Sequence, residues 1–229
     1  MAVKPILFNT EMVKAILAGK KTQTRRVVRF VECDVYDAAC AEGMWNERFD
    51  PEDPPKALIE WFVKAKARRP FAPGDILWVR ESWHRYEKRV GRGELCHLET
   101  FFGYRASIKN SEDASEPWKP SIHMPKEAAR IFLRVKNVRV ERLQDITVLN
   151  AINEGCCGTI CNHTNSDPAL GCTDCYDTGW LEPPDAEFAL LWDTTVNKTD
   201  LPVYGWDANP WVWVIEFERY EKPEGWCKK

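Results

Sequence analysis

The sequence predicts an α+β domain around a mainly antiparallel, curved or closed sheet. Three observations predict it. Runs of alternating hydrophobicity lie near both ends and in the middle of the chain. Short amphipathic stretches interrupt them, and no regular strand–helix–strand rhythm recurs. The 229 residues, 44% of them hydrophobic, are enough to bury a core without disulfides. One domain over residues 1–229 is expected, with a cysteine-rich insertion at 156–180.

The elements follow in order. "KPILF" is short and apolar and reads as a strand. "TEMVKAILAG" reads as a short helix: Thr10 is placed to cap it, Met12, Ile16 and Leu17 share a face, and Gly19 ends it. Residues 31–56 hold the Pro-rich, acidic "FDPEDPPKA" and read as an irregular surface excursion. "ALIEWFVKAKARR" fits a helix or a strand. In "APGDILWVRESW", Pro73-Gly74 makes a turn and 76–83 runs as a strand. Asp75, Leu77, Val79 and Glu81 share one of its faces. A carboxylate beside two aliphatic side chains needs a partner.

"TFFGYRAS" is a further strand, "PKEAA" a short turn or helix, and 130–143 a long strand. "TVLNAINEG" is a short helix ending at Gly155. "DAEFALLWDTTV" places Phe188, Leu191 and Trp192 at helical spacing. "NPWVWVIEFERY" closes the chain as a strand, with Trp211, Trp213, Ile215 and Phe217 alternating.

No apolar run approaches the roughly 18 residues of a membrane helix, and the first residues lack a signal-peptide pattern. A cytoplasmic protein without membrane association is expected, its nine cysteines reduced or bound to metal. The net charge of −3 sets a dedicated duplex nucleic-acid binder behind other classes.

The segment "EGCCGTICNHTNSDPALGCTDCYDTGW" is a candidate metal site. Cys172 and Cys175 form a tight C-x-x-C chelate turn, and Cys157 and Cys161 supply two more thiolates, with Cys156 or His163 as substitutes. Four such ligands suit tetrahedral zinc. A zinc deaminase needs His-x-Glu and Pro-Cys-x-x-Cys. Here Gly171 precedes Cys172 and Thr164-Asn165 follows His163, so a structural zinc is expected.

Lys21, Thr24 and Arg26 follow Gly19 as G-x-K-x-x-T-x-R. With "PGDILWVRESW", "KPSIHMP" and "WDANPWVWVIEF" in order behind it, the chain resembles the ASCH family, a branch of the PUA-like β-barrel folds. The broad family has Glu where Thr24 stands. The subgroup with Thr there is similar to small amidohydrolases that cleave N4-acetylcytidine to cytidine and acetate. The resemblance implies a PUA-like barrel and the catalytic residues Lys21, Thr24 and Glu81, with Arg26 as the motif arginine.

The chemistry is sensible in itself. A threonine hydroxyl is a weak nucleophile until a base takes its proton. A lysine amine can do so only where burial or nearby cations pull its pKa toward neutrality. If Lys21 stays protonated, it stabilises the oxyanion and Glu81 is the base. The preferred scheme makes Lys21 the base for Thr24, with Glu81 orienting the lysine and relaying protons.

Tyr104 and His123 are candidates for the wall of a nucleoside pocket. Trp83, on the same face as Glu81, could stack on a pyrimidine or serve the core. Against the enzyme stands a binding module for RNA or a modified base, with Lys20, Lys21, Arg25, Arg26 and Arg29 facing phosphates.

Overall fold

The computed structural model describes residues 2–52, 54–92, 96–107, 117–160, 166–167, 171–172 and 180–226. In chain order these form β1 (Val3–Leu7), α1 (Thr10–Leu17), β2 (Gln23–Val27), α2 (Glu32–Ala41), α3 (Lys56–Ala65), β3 (Ile76–Arg80), β4 (Trp83–Val90) and β5 (His97–Tyr104). Then come β6 (Phe132–Arg142), α4 (Val148–Asn153), β7 (Thr159–Ile160), β8 (Ser166–Asp167) and β9 (Gly171–Cys172). The last are β10 (Trp180–Glu182), α5 (Pro184–Thr195), α6 (Leu201–Tyr204) and β11 (Trp211–Tyr220). The protein is α+β, as its sequence pattern implies.

Two compact units divide the chain. Unit 1 holds Met1–Thr22, Pro73–Lys136 and Phe217–Lys229; unit 2 holds Gln23–Ala72 and Asn137–Glu216.

In unit 1, β1 and β3 pair in parallel, Val3 against Ile76 through Leu7 against Arg80. β3 pairs antiparallel with the start of β6. α1 fills the turn out of β1. Asn9, not Thr10, is its cap: Asn9 is extended, and its Oδ1 accepts from the Met12 N–H at 2.8 Å. The other end closes through Gly19, whose φ of +73° suits glycine. Gly19 N–H donates to Ile16 O and Lys20 N–H to Ala15 O, a Schellman closure. Ile76, Trp83, Met124, Ala128, Ala129 and Phe132 form a core cluster of this unit.

The strand expected over 76–83 breaks. β3 stops at Arg80, and Trp83 begins an antiparallel ribbon with β5 in which Trp83 faces Tyr104 and Val90 faces His97.

In unit 2, β2 pairs antiparallel with β11, Gln23 against Glu216 through Val27 against Val212. Leu143, Ile146, Ala151, Cys156, Phe188, Trp192, Val212 and Val214 make its core. α2 lies within the stretch expected to be irregular. It buries only Val35 and Ala39, one turn apart, too narrow a stripe to stand out by periodicity. α3 resolves "ALIEWFVKAKARR" as helix, with Leu58, Phe62 and Val63 inward. β7 and β10 pair Ile160 with Trp180 and Thr159 with Glu182, so the cysteine-rich insertion leaves and re-enters at one place.

The barrel expectation is corrected. Among the described residues the pairings form open-ended sheets, and β4–β5 stands as a separate two-stranded ribbon. A barrel needs an unbroken ring of ladders, and the break after Arg80 takes the ribbon out of the sheet. The mainly antiparallel pairing does hold, with β1–β3 the parallel exception. No helix of the described residues is long and apolar enough to cross a membrane.

His84 lies across from Gly103 in the ribbon, almost fully buried and stacked on Trp118 at 4.6 Å. A Cβ added at Gly103 would stand 1.9 Å from His84 Nε2. Gly103→Ala should therefore destabilise the protein by about 1–3 kcal/mol through overpacking, read as a lower urea midpoint. Adding His84→Ala should recover part of that loss. A Gly103→Ala midpoint equal to wild type would show that the ring does not occupy this slot in solution.

Candidate functional site

The end of α1 delivers the motif. Lys20 and Lys21 N–H groups both donate to Ala15 O, at 2.9 and 3.2 Å. Lys20 is left exposed and Lys21 buried, at 3% exposure. The Lys21 Nζ lies 5.9 Å from the centre of the Phe8 ring. Thr22 O then accepts from Phe217 N–H at 2.8 Å, and β2 begins.

β2 buries three polar residues in succession: Gln23, Thr24 and Arg25. Gln23 Nε2 donates to Asn150 O at 2.6 Å. Arg25 donates to Glu154 at 3.0 Å and Glu141 at 2.5 Å, with its guanidinium 5.5 Å from the Phe188 ring centre. Arg139 extends this network, pairing with both Glu141 and Glu216. Arg25 is thus tied into the framework of unit 2.

Thr24 differs. It is 1% exposed, and its hydroxyl oxygen accepts from Arg26 Nη1 at 3.1 Å. The same nitrogen donates to Arg25 O at 3.0 Å. Burial lowers the Arg26 pKa from its ordinary value, and the charge of Glu154 pulls the other way. A guanidinium aimed at a hydroxyl oxygen favours the alkoxide over the neutral alcohol. The hydroxyl proton is left to point elsewhere.

Glu81 occupies the break between β3 and β4, 1% exposed. Arg130 holds it bidentately, Nε to Oε1 and Nη2 to Oε2, both at 2.8 Å. The backbone N–H of Glu81 points at Met124 Sδ, 3.2 Å away. Arg130 is the partner of Glu81 that sequence reasoning missed. An acidic residue on an aliphatic face signals that a partner exists, but 49 positions separate the two, and no local pattern identifies it.

Tyr104 is half-buried beneath Arg130, whose guanidinium carbon lies 4.0 Å from the ring centre. Tyr104 Oη donates to Ala128 O at 2.6 Å. Burial pushes the phenol up to about 12; Arg130 opposes the shift and Glu81 adds to it. Trp83, expected as a pocket or core residue, is 6% exposed within the apolar cluster of unit 1, with Lys119 Nζ 5.3 Å from its ring centre. It serves the core. His123 is exposed on a turn, Ser121–His123, next to the Met124 that meets Glu81. The structure thus brings Thr24 to Arg26, and Glu81 and Tyr104 to Arg130.

Of the candidate zinc ligands, Cys161 and Cys175, and the substitute His163, lie outside the described residues, as does the side chain of Cys172. The backbone of Cys172 pairs with Ser166. Cys157 is exposed, and its N–H and that of Gly158 donate to Glu187 Oε2 at 2.9 and 2.7 Å. Among the described residues no cluster of three His, Cys, Asp or Glu side chains is placed to hold a metal.

No family model, curated protein or solved structure matches this chain.

Tyr104 makes a pH-dependent contribution. Its pKa rises from 10.0 to about 12 on folding, so the neutral phenol is favoured in the fold. That stability is complete below pH 10.0 and is lost as pH climbs through about 12. Tyr104→Phe should cost roughly 1 kcal/mol at neutral pH through the lost hydrogen bond. Its unfolding midpoint should then fall less steeply than wild type across the alkaline window. Parallel curves for the two proteins would place the alkaline loss at another group.

Proposed function

We propose that this chain is an amidohydrolase of the ASCH, PUA-like type. It cleaves the N4-acyl amide of acylated cytidine-type nucleosides or bases, with N4-acetylcytidine as the reference substrate. The observation that carries this reading is that the motif hydroxyl is buried and takes a hydrogen bond from a cation, Arg26 to Thr24. Lys21 and Glu81, the other members of the set, are buried as well. A solvated basic face predicts the reverse.

The same burial weighs against a phosphate-facing patch. Of Lys20, Lys21, Arg25, Arg26 and Arg29, only Lys20 and Arg29 keep exposed side chains. Arg25 already spends its charge on two carboxylates.

In the proposed reaction Thr24 Oγ1 attacks the acyl carbon while its proton passes to the neutral Lys21 amine. The tetrahedral oxyanion collapses, the C–N bond breaks, and the Lys21 ammonium returns the proton to the departing N4 amine. Water then attacks the Thr24 ester, losing a proton to Lys21, and the acid leaves as Thr24 recovers its hydrogen. The sum is amide plus water to amine plus carboxylic acid. Arg26 stabilises the developing alkoxide, and Glu81 orients the Lys21 amine.

Zinc has a structural part in this proposal. Four thiolates, Cys157, Cys161, Cys172 and Cys175, are a donor set that zinc takes readily. Cys161, Cys172 and Cys175 fall between the paired β7 and β10, and Cys157 stands two residues before β7. Bound there, the metal orders the loop, and no step of the reaction passes through it.

Purified protein should convert N4-acetylcytidine to cytidine, followed by chromatography. Thr24→Ala should lower kcat at least roughly a thousandfold, as loss of a nucleophile does, with an unchanged unfolding midpoint. Activity surviving that substitution removes Thr24 from the nucleophile role. Elemental analysis should find about one zinc per chain. Chelation should expose the 156–180 segment to proteases before it slows turnover. Loss of turnover from a chain that still resists proteolysis would make the metal catalytic.

A further inference from the structure

We propose that Arg130 is a positioning residue that holds the Glu81 carboxylate in one orientation for amide hydrolysis, an inference that rests on the reading above. Glu81 follows the last residue of β3, where the ladder no longer fixes the chain. Among the described residues its backbone N–H meets a thioether sulfur, a weak acceptor. Its side-chain plane therefore depends on the guanidinium. Two parallel bonds of 2.8 Å fix both the distance and the plane of the carboxylate.

Arg130 is in turn held from two further sides. Its Nη1 donates to Ser107 Oγ at 2.7 Å. Its face lies over Tyr104, which is pinned through its hydroxyl to Ala128 O. Three nitrogens of one guanidinium are thus committed, and its stacking surface is covered. The arrangement is asymmetric: the Glu81 side chain is 1% exposed and that of Arg130 26%. The anion is sealed in, and the cation closes over it from the outer side.

Stability alone is a poor reason for such a pair. Apolar replacements of buried ion pairs are often neutral or stabilising. Orientation does require this construction, because an ammonium in place of the fork cannot fix a carboxylate plane. Tyr104 becomes the platform for Arg130 and not a wall against substrate.

The test combines kinetics with a measurement that needs no activity. In wild type, the Arg130 Nη signals in nitrogen NMR should be resolved, because a bidentate clamp blocks rotation of the guanidinium. Arg130→Gln should lower kcat on N4-acetylcytidine about a hundredfold, the scale of a small misplacement. KM should stay within about twofold. Arg130→Lys keeps the charge without the fork. It should sit between the two and guards against a glutamine variant that fails to fold.

Averaged Arg130 signals in wild type would overturn the clamp whatever the activity. Resolved signals with kcat retained within about threefold in Arg130→Gln would leave only a structural ion pair and overturn the positioning role. Resolved signals in a wild type that does not turn over N4-acetylcytidine overturn the amidohydrolase reading. The positioning role then falls with it, while the clamp stands.

Discussion

A charge carried into a protein interior must be met there, and this constraint shapes both units. Arg25 has no exposed side-chain surface; it can lie inside unit 2 because Glu141 and Glu154 close on it. Removing both carboxylates would leave an uncompensated buried guanidinium, a fault on the order of 3–5 kcal/mol. The demand reaches far along the chain. β2 supplies the arginine, the end of β6 one acid, and the residue after α4 the other. Three elements are registered to one another by a single cation. Arg139 then carries the pairing on to Glu216 on β11.

The basic motif consequently divides by function. Adjacent residues of β2 point to opposite faces, yet Gln23, Thr24 and Arg25 are all buried, so β2 is covered on both faces. One face takes Arg25 into the ion network. The other holds Thr24, with Arg26 Nη1 at its oxygen. An arginine that neutralises two acids is doing structural work. An arginine that donates to a neutral hydroxyl is placed to act on that hydroxyl. The two neighbours show how one short cationic stretch can be both scaffold and candidate chemistry.

Much of this was legible in the residues. β1, α1, β6, α5 and β11 announce themselves through period and punctuation. Other features were not. Asn9 outcompetes Thr10 as cap because an extended backbone places its Oδ1 before the Met12 N–H, which is a matter of one dihedral. The break after Arg80 leaves no mark in an alternating apolar run; the Met124 sulfur that meets the Glu81 N–H there lies 43 positions further on. α2 buries only two small or branched residues and so carries little amphipathic signal. Glu81 was legible as a carboxylate in need of a partner, and Thr24 as a motif hydroxyl. Their partners differ in reach. Arg26 is a chain neighbour of Thr24, while Arg130, two residues before β6, is 49 positions from Glu81.

Comparing the two buried carboxylate–arginine systems separates what burial explains from what it leaves over. In the Arg25 network the cation is the most deeply buried member and the acids surround it, Glu141 at 16% exposure and Glu154 at 3%. The order is reversed at Glu81, where the acid is sealed and the arginine stands outermost. A pair serving cohesion alone gains nothing from burying its anion more deeply than its cation, because both pay the same kind of desolvation cost. A carboxylate that must face inward with one fixed plane does gain. Each of its oxygens has acceptor capacity beyond the one bond it takes from Arg130, in a place that water reaches poorly. There an oriented charge acts more strongly than it does at the surface. The construction of this corner, an unladdered residue held by a guanidinium pinned on three sides, is what pre-organisation of an anion demands.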